Sequence, residues 1–149
     1  MKFGREVFAV IFSVSSVASN SIAQTNNGFV GVFGDAAGTV RCMQAAPGVP
    51  ITLYVVAFTA GTTTNGITGA EFRIEFSNPS GYILNYAAPI GAQALGNPLS
   101  SNGFNIAWPT CRMPVDGRLD LGTIFVFNMG GGTPTDITVK RKNPPSNAS

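Results

Sequence analysis

Gly69-Ala70-Glu71-Phe72-Arg73-Ile74-Glu75-Phe76 carries an apolar side chain at every second position from Phe72, with a charge at Glu71, Arg73 and Glu75. In an extended chain Phe72, Ile74 and Phe76 fall on one face and the three charges on the other. That period of two marks a strand with one face in a core and one in water. The stretch is preceded by Gly61-Thr62-Thr63-Thr64-Asn65-Gly66 and followed by Asn78-Pro79-Ser80-Gly81. In the second of these, Pro pre-sets the backbone and Gly permits a positive φ, so a turn is expected.

The same grammar extends in both directions. Residues 51–58 (ITLYVVAF) are β-branched, aromatic and uncharged, and read as a buried strand after Pro50. Residues 29–33, 82–86, 104–108, 119–128 and 136–140 supply further strands, the last an edge, with Pro109 closing the run that holds Trp108. Residues 87–103 are rich in Ala, Gly and Pro and are expected to be an irregular excursion. No helical apolar stripe, internal repeat or second domain is legible. Short strands between Gly/Pro turns predict an all-β fold, an antiparallel two-sheet sandwich, with a closed barrel as the alternative.

Lys2 and Arg5 precede an uncharged, mostly apolar run at 7–17, and Ser21-Ile22-Ala23 sets small residues before Gln24. This is the pattern of a secretory signal peptide, whose apolar part is shorter than the roughly 20 residues of a membrane span. The expected organisation is a signal-peptide helix within 1–23, a sandwich over 24–141 and a disordered tail at 142–149. No transmembrane segment is expected after cleavage, and the protein is expected to be secreted, periplasmic or at the cell surface. Cys42 and Cys111 are the only two cysteines. In an exported protein they are expected to form a disulfide; it would stabilise by about 4 kcal/mol for a closed loop of roughly 70 residues.

Composition narrows the chemistry. There is no histidine, so Ser-His-Asp and Cys-His catalysis are excluded, and zinc has few ligands to choose from. Calcium could use Asp35, Asp116, Asp120 and Asp136, but no D-x-[DN]-x-[DN]-G loop is present. No metal and no cofactor is expected. Glu71 and Glu75 share a strand face with Arg73 between them, which reads as a solvated stripe rather than a glycosidase pair. Gly130-Gly131-Gly132 lacks the Lys-Ser/Thr of a phosphate loop. Of the basic residues, Lys2, Arg5 and Lys140-Arg141-Lys142 lie near the two ends, and no nucleic-acid footprint is expected. Asn147-Ala148-Ser149 fits a glycosylation sequon. Trp108 in a short apolar strand reads as core before sugar platform.

Three segments together resemble the cohesin-type sandwich of bacterial extracellular proteins. Pro47-Gly48-Val49-Pro50-Ile51-Thr52-Leu53-Tyr54-Val55 leads into an early strand. Residues 66–76 (GITGAEFRIEF) are similar to that family's G-x-x-G-x-x-F-x-[LI]-x-[YF] strand. Asp116-Gly117 followed by residues 121–127 (LGTIFVF) is similar to its late D-G-x-L-x-x-I-x-F strand. The order and rough spacing agree over most of residues 47–128. The cysteine pair, and Phe76-Ser77-Asn78-Pro79 in place of the family's Y-D-P, depart from the pattern. The resemblance implies a secreted cohesin-like or jelly-roll-like sandwich, with dockerin contacts not transferable residue by residue.

The expected function is that of a non-catalytic protein-binding or structural surface module, not an enzyme. Its partner would be an extracellular protein or polysaccharide. Tyr54, Glu71, Arg73, Glu75 and Tyr82 are the candidate recognition residues. The alternatives are a carbohydrate-binding module, which an exposed aromatic row would favour, and a small carboxylate-dependent hydrolase, which a cleft with facing carboxylates would favour.

Overall fold

The computed structural model describes residues 28–59, 66–131 and 133–144. The expected signal segment, the sequon and most of the expected tail lie outside the described residues. Within them there is no helix, and no helix long and apolar enough to cross a membrane. Eight strands run in order: β1 Phe29–Phe33, β2 Pro50–Phe58, β3 Ile67–Phe76, β4 Tyr82–Ala87, β5 Gln93–Asn97, β6 Gly103–Arg112, β7 Arg118–Asn128 and β8 Ile137–Lys140. They form two four-stranded sheets, β1-β2-β7-β4 and β5-β6-β3-β8, with every pairing antiparallel. β1–β2 and β5–β6 are hairpins within a sheet, and every other connection crosses to the opposite sheet.

The alternation in β3 does what its pattern requires. Phe72 and Ile74 are buried and Phe76 is partly so, while Glu71 is exposed and Arg73 and Glu75 are half-covered. The inward residues meet Leu53, Val55, Leu121, Ile124 and Val126 from the first sheet. Phe104 stands at the centre, edge-on to Phe72 at 4.8 Å and to Tyr86 at 5.0 Å between ring centroids. Trp108 is buried in the same core.

Two expectations about strands are corrected. Part of the supposed excursion is β5, whose Gln-Ala-Leu-Gly-Asn composition carries no strand preference of its own. It is extended because Gln93 to Asn97 pair with Ala107 to Gly103 across a hairpin. And β6 runs through Pro109 instead of stopping before it. Pairing with β5 ends at Ala107, and on the other side the register jumps from Gly69↔Ala107 to Ile67↔Arg112. Pro109 sits in that irregular stretch, where no ladder asks for the N–H it lacks.

The expected disulfide is also corrected: both cysteines are free and exposed. Cys42, in the β1–β2 loop, lines a cleft with Phe76 and Tyr82, at the end of β3 and the start of β4. Cys111 lies by the start of β3, where a Cβ on Gly66 would be 3.0 Å from its own Cβ. The ten residues of β3 separate these places, and a strand of that length spans about 30 Å. A disulfide needs Cα atoms within about 7 Å.

Candidate functional site

The five candidate recognition residues do not form one site. Glu71, Arg73 and Glu75 lie on the outer face of the second sheet. Arg73 Nη1 is 2.7 Å from Glu75 Oε1 and also donates to the Ser101 carbonyl; its Nε donates to the Arg141 carbonyl. Lys140 closes on the other carboxylate oxygen of Glu75 from the paired strand. This hydrogen bond outweighs the opposing desolvation and, helped by the weaker pull of the Arg73 and Lys140 charges, holds the Glu75 carboxyl below its ordinary value. Glu75 is therefore an ionised brace between β3 and β8. Glu71 stands four residues away along the strand, roughly 13 Å by backbone rise, with Arg73 between them. The geometry gives no facing carboxylate pair.

Tyr82 faces inward at the rim of the core, and its hydroxyl donates to the Thr133 carbonyl at 2.9 Å. Tyr54 lies on the same sheet as Tyr82 but half-buried on its outer face. The Asp residues considered for calcium are dispersed as well: among the described residues no three His, Cys, Asp or Glu side chains form a metal-sized group. Asp35 accepts from Thr39 N, Thr39 Oγ1 and Val40 N within its own loop, and these bonds, the Thr39 hydroxyl first, lower its pKa. Asp116 pairs with Arg118 at 3.3 Å.

The outer face of the first sheet is more apolar than its strand pattern suggests, and a bulge in β7 is the cause. The register runs Val55↔Gly122 and then Val56↔Asp120, leaving Leu121 as the extra residue. Gly122 takes φ +119°, and a Cβ there would strike the Ala87 carbonyl. The Asp120 carboxylate accepts from Gly122 N at 2.8 Å, and the Leu121 carbonyl accepts from the Tyr86 hydroxyl. Burial, and then the charge of Asp120, push that phenol above its ordinary range. Strict alternation from the buried Leu119 and Leu121 would have turned Phe125 and Phe127 inward. With the bulge, Ile124 and Val126 enter the core and the two phenylalanines face out. Phe127 lies opposite Ile83 on β4 and Phe125 opposite Thr52 and Asn85. Ile83 is 50% and Phe125 43% exposed.

Further along the same face, two loops stand over the sheet and leave a groove of about 530 Å³. Tyr54 and Thr123, directly paired across β2 and β7, line it beside the next pair, Val56 and Asp120. Ala36 and Ala37 form one wall, Met113 and Val115 the other. Arg118 ties the walls together, donating to the Ala37 carbonyl and to Asp116. At the β1 side the face is closed by aromatic packing. Phe58 stacks on Phe29 at 4.8 Å and meets Phe33 edge-on at 5.5 Å. Gly31 leaves the room beneath the Phe33 ring that a Cβ would fill.

Sequence reasoning identified Tyr54 and missed Thr123, Phe125, Phe127 and Ile83 as surface residues. The one available signal was Gly122 inside an apolar strand, a mark of a bulge. Comparisons of the chain with protein-family models, with curated proteins and with solved structures found no match.

Proposed function

We propose that the protein is a non-catalytic binding module that works through the outer face of its first sheet. One observation carries this reading: the β7 bulge keeps Phe125 and Phe127 out of the core and beside Ile83. An antiparallel sheet that meets water on one face normally alternates polar residues there, and contiguous apolar surface marks a place where another molecule docks. The finer likeness to a cohesin-type or carbohydrate-binding sandwich rests on the three sequence segments and is part of the proposal. So is export, which rests on the signal-like pattern of residues 1–23. N-terminal sequencing of the exported protein is expected to begin at Gln24, and an intact Met1 in that fraction would count against it.

The test of function is a panel of extracellular proteins and glycans, run beside polysaccharide and peptide hydrolysis assays. Saturable binding without turnover is expected, lost in Phe125→Ser and kept in Glu71→Gln. Phe125 is already half-exposed, so its replacement is expected to cost no more than about 1.5 kcal/mol, roughly half of what a fully buried phenylalanine contributes. Turnover by the parent that Glu71→Gln and Glu75→Gln each abolish would replace the binding module by a hydrolase.

A further inference from the structure

We infer that the groove over Tyr54 is a subsite for a neutral hexopyranose unit of a glycan. This rests on the reading of the first sheet's outer face as the binding face, and it gives that face a ligand class. The argument starts from the groove's unused polar atoms. The Tyr54 and Thr123 hydroxyls make no hydrogen bond among the described residues, and Asp120 spends only one oxygen, on Gly122 N. Two hydroxyls that can donate or accept, and a carboxylate oxygen that only accepts, match the mixed donor-acceptor edge of a sugar with adjacent hydroxyls. Apart from Arg118, the remaining lining is apolar, including the Tyr54 ring, Val56, Met113 and Val115. A pyranose has an apolar C–H face to set against such a surface, and a largely apolar pocket with few polar groups is the usual form of a small-ligand site.

Charge selects among sugars. Arg118 is engaged by Asp116 and by the Ala37 carbonyl, which leaves Asp120 as the groove's uncompensated charge. A uronate or sulfated sugar would be repelled there, while a neutral sugar can donate a hydroxyl to Asp120 in a charge-assisted bond. The site is also held in shape before any ligand arrives. Asp35 pins the β1–β2 loop through three hydrogen bonds, Arg118 bridges that loop to the β6–β7 turn, and Val115 and Arg118 exchange backbone hydrogen bonds across that turn. Preorganised walls reduce the ordering cost of binding.

The experiment is calorimetric titration of the full chain with neutral oligosaccharides of glucose, mannose, galactose, xylose and N-acetylglucosamine, with an oligouronate, and with a lysine-rich peptide. At least one neutral hexose oligomer is expected to saturate, and the oligouronate to bind more weakly. Asp120→Asn and Tyr54→Ala are each expected to weaken binding by about tenfold or more, the scale of one hydrogen bond to a charged group. Glu71→Gln, on the outer face of the other sheet, is the control. Tyr54→Phe keeps the ring and removes the hydroxyl, so it reports on the groove should Tyr54→Ala fail to fold. The inference is overturned if no neutral hexose oligomer saturates, if binding survives both groove variants unchanged, or if only the cationic peptide binds. A protein ligand lost in Phe125→Ser and indifferent to Tyr54→Phe would preserve the binding module and remove the sugar.

Discussion

Single side chains in this sandwich divide into those that fill the core and those that brace strands from outside. Phe72 is 2% exposed and packs edge-on against Phe104. Phe72→Ala is expected to cost about 3–5 kcal/mol in a urea unfolding experiment, from lost transfer energy and the cavity left behind. A loss under about 1 kcal/mol, well short of the range for a buried phenylalanine, would remove Phe72 from the core. Glu75 and Asp35 make a pH-dependent contribution. Both ionise more readily when folded, so each adds stability above its unfolded pKa that is lost as pH falls through its lowered folded value. With ordinary values of 4.5 and 3.8, the melting temperature is expected to hold between about pH 7 and 5 and to drop below about 4.5. Glu75→Gln is expected to flatten part of that acid limb; an unchanged slope would show that the Arg73–Glu75–Lys140 brace does not respond to protonation. Tyr86 acts with the opposite sign: its raised pKa disfavours the folded state at pH values above those where an ordinary phenol ionises.

At the scale of the element, legibility tracked whether a strand's pattern was local. β3 could be read because its charges and apolar residues alternate without interruption. β5 could not, since nothing in Gln93 to Asn97 favours extension apart from its neighbour β6. β6 looked as though it ended at Pro109 because proline lacks a donor; only the pairing scheme shows that no partner needs one there. β7 was recognised as a strand while its faces were not, because one glycine shifts the register of everything after it. The site was hidden for the same reason. Tyr54 could be singled out by type, but which β7 residues share its face depends on the bulge. Two substitutions test this account. Gly122→Ala places a side chain at φ +119° and against the Ala87 carbonyl, and is expected to destabilise by more than about 1 kcal/mol. Pro109→Ala removes no native hydrogen bond, and its effect is expected to stay within about 1 kcal/mol, the unfolded-state entropy of one proline. If Pro109→Ala proved the more damaging, the bulges would be misassigned.

For the whole molecule, the decisive geometry is that the sandwich has two ends and one cysteine stands near each. Counting cysteines under the expectation of export favours a bridge, yet the count contains no information about which end of a strand each residue reaches. The β1–β2 loop carries Cys42 to the end where β3 finishes, and β6 carries Cys111 back to the end where β3 starts. Both thiols are exposed, so the fold must hold together without a covalent staple. Its stability then comes from two sheets closing on Phe104, Leu121, Ile124 and Val55. Removing a native disulfide from a small secreted domain typically costs about 2–5 kcal/mol; here no such loss is expected. A thiol-directed reagent is expected to label both cysteines in the native monomer, and a Cys42→Ser, Cys111→Ser double variant to unfold at the same denaturant midpoint as the parent. Reducing agent is expected to leave that midpoint unchanged. A native monomer with no labelled thiol, whose midpoint drops on reduction, would require the two ends of β3 to lie within a disulfide's reach, which an extended ten-residue strand does not allow.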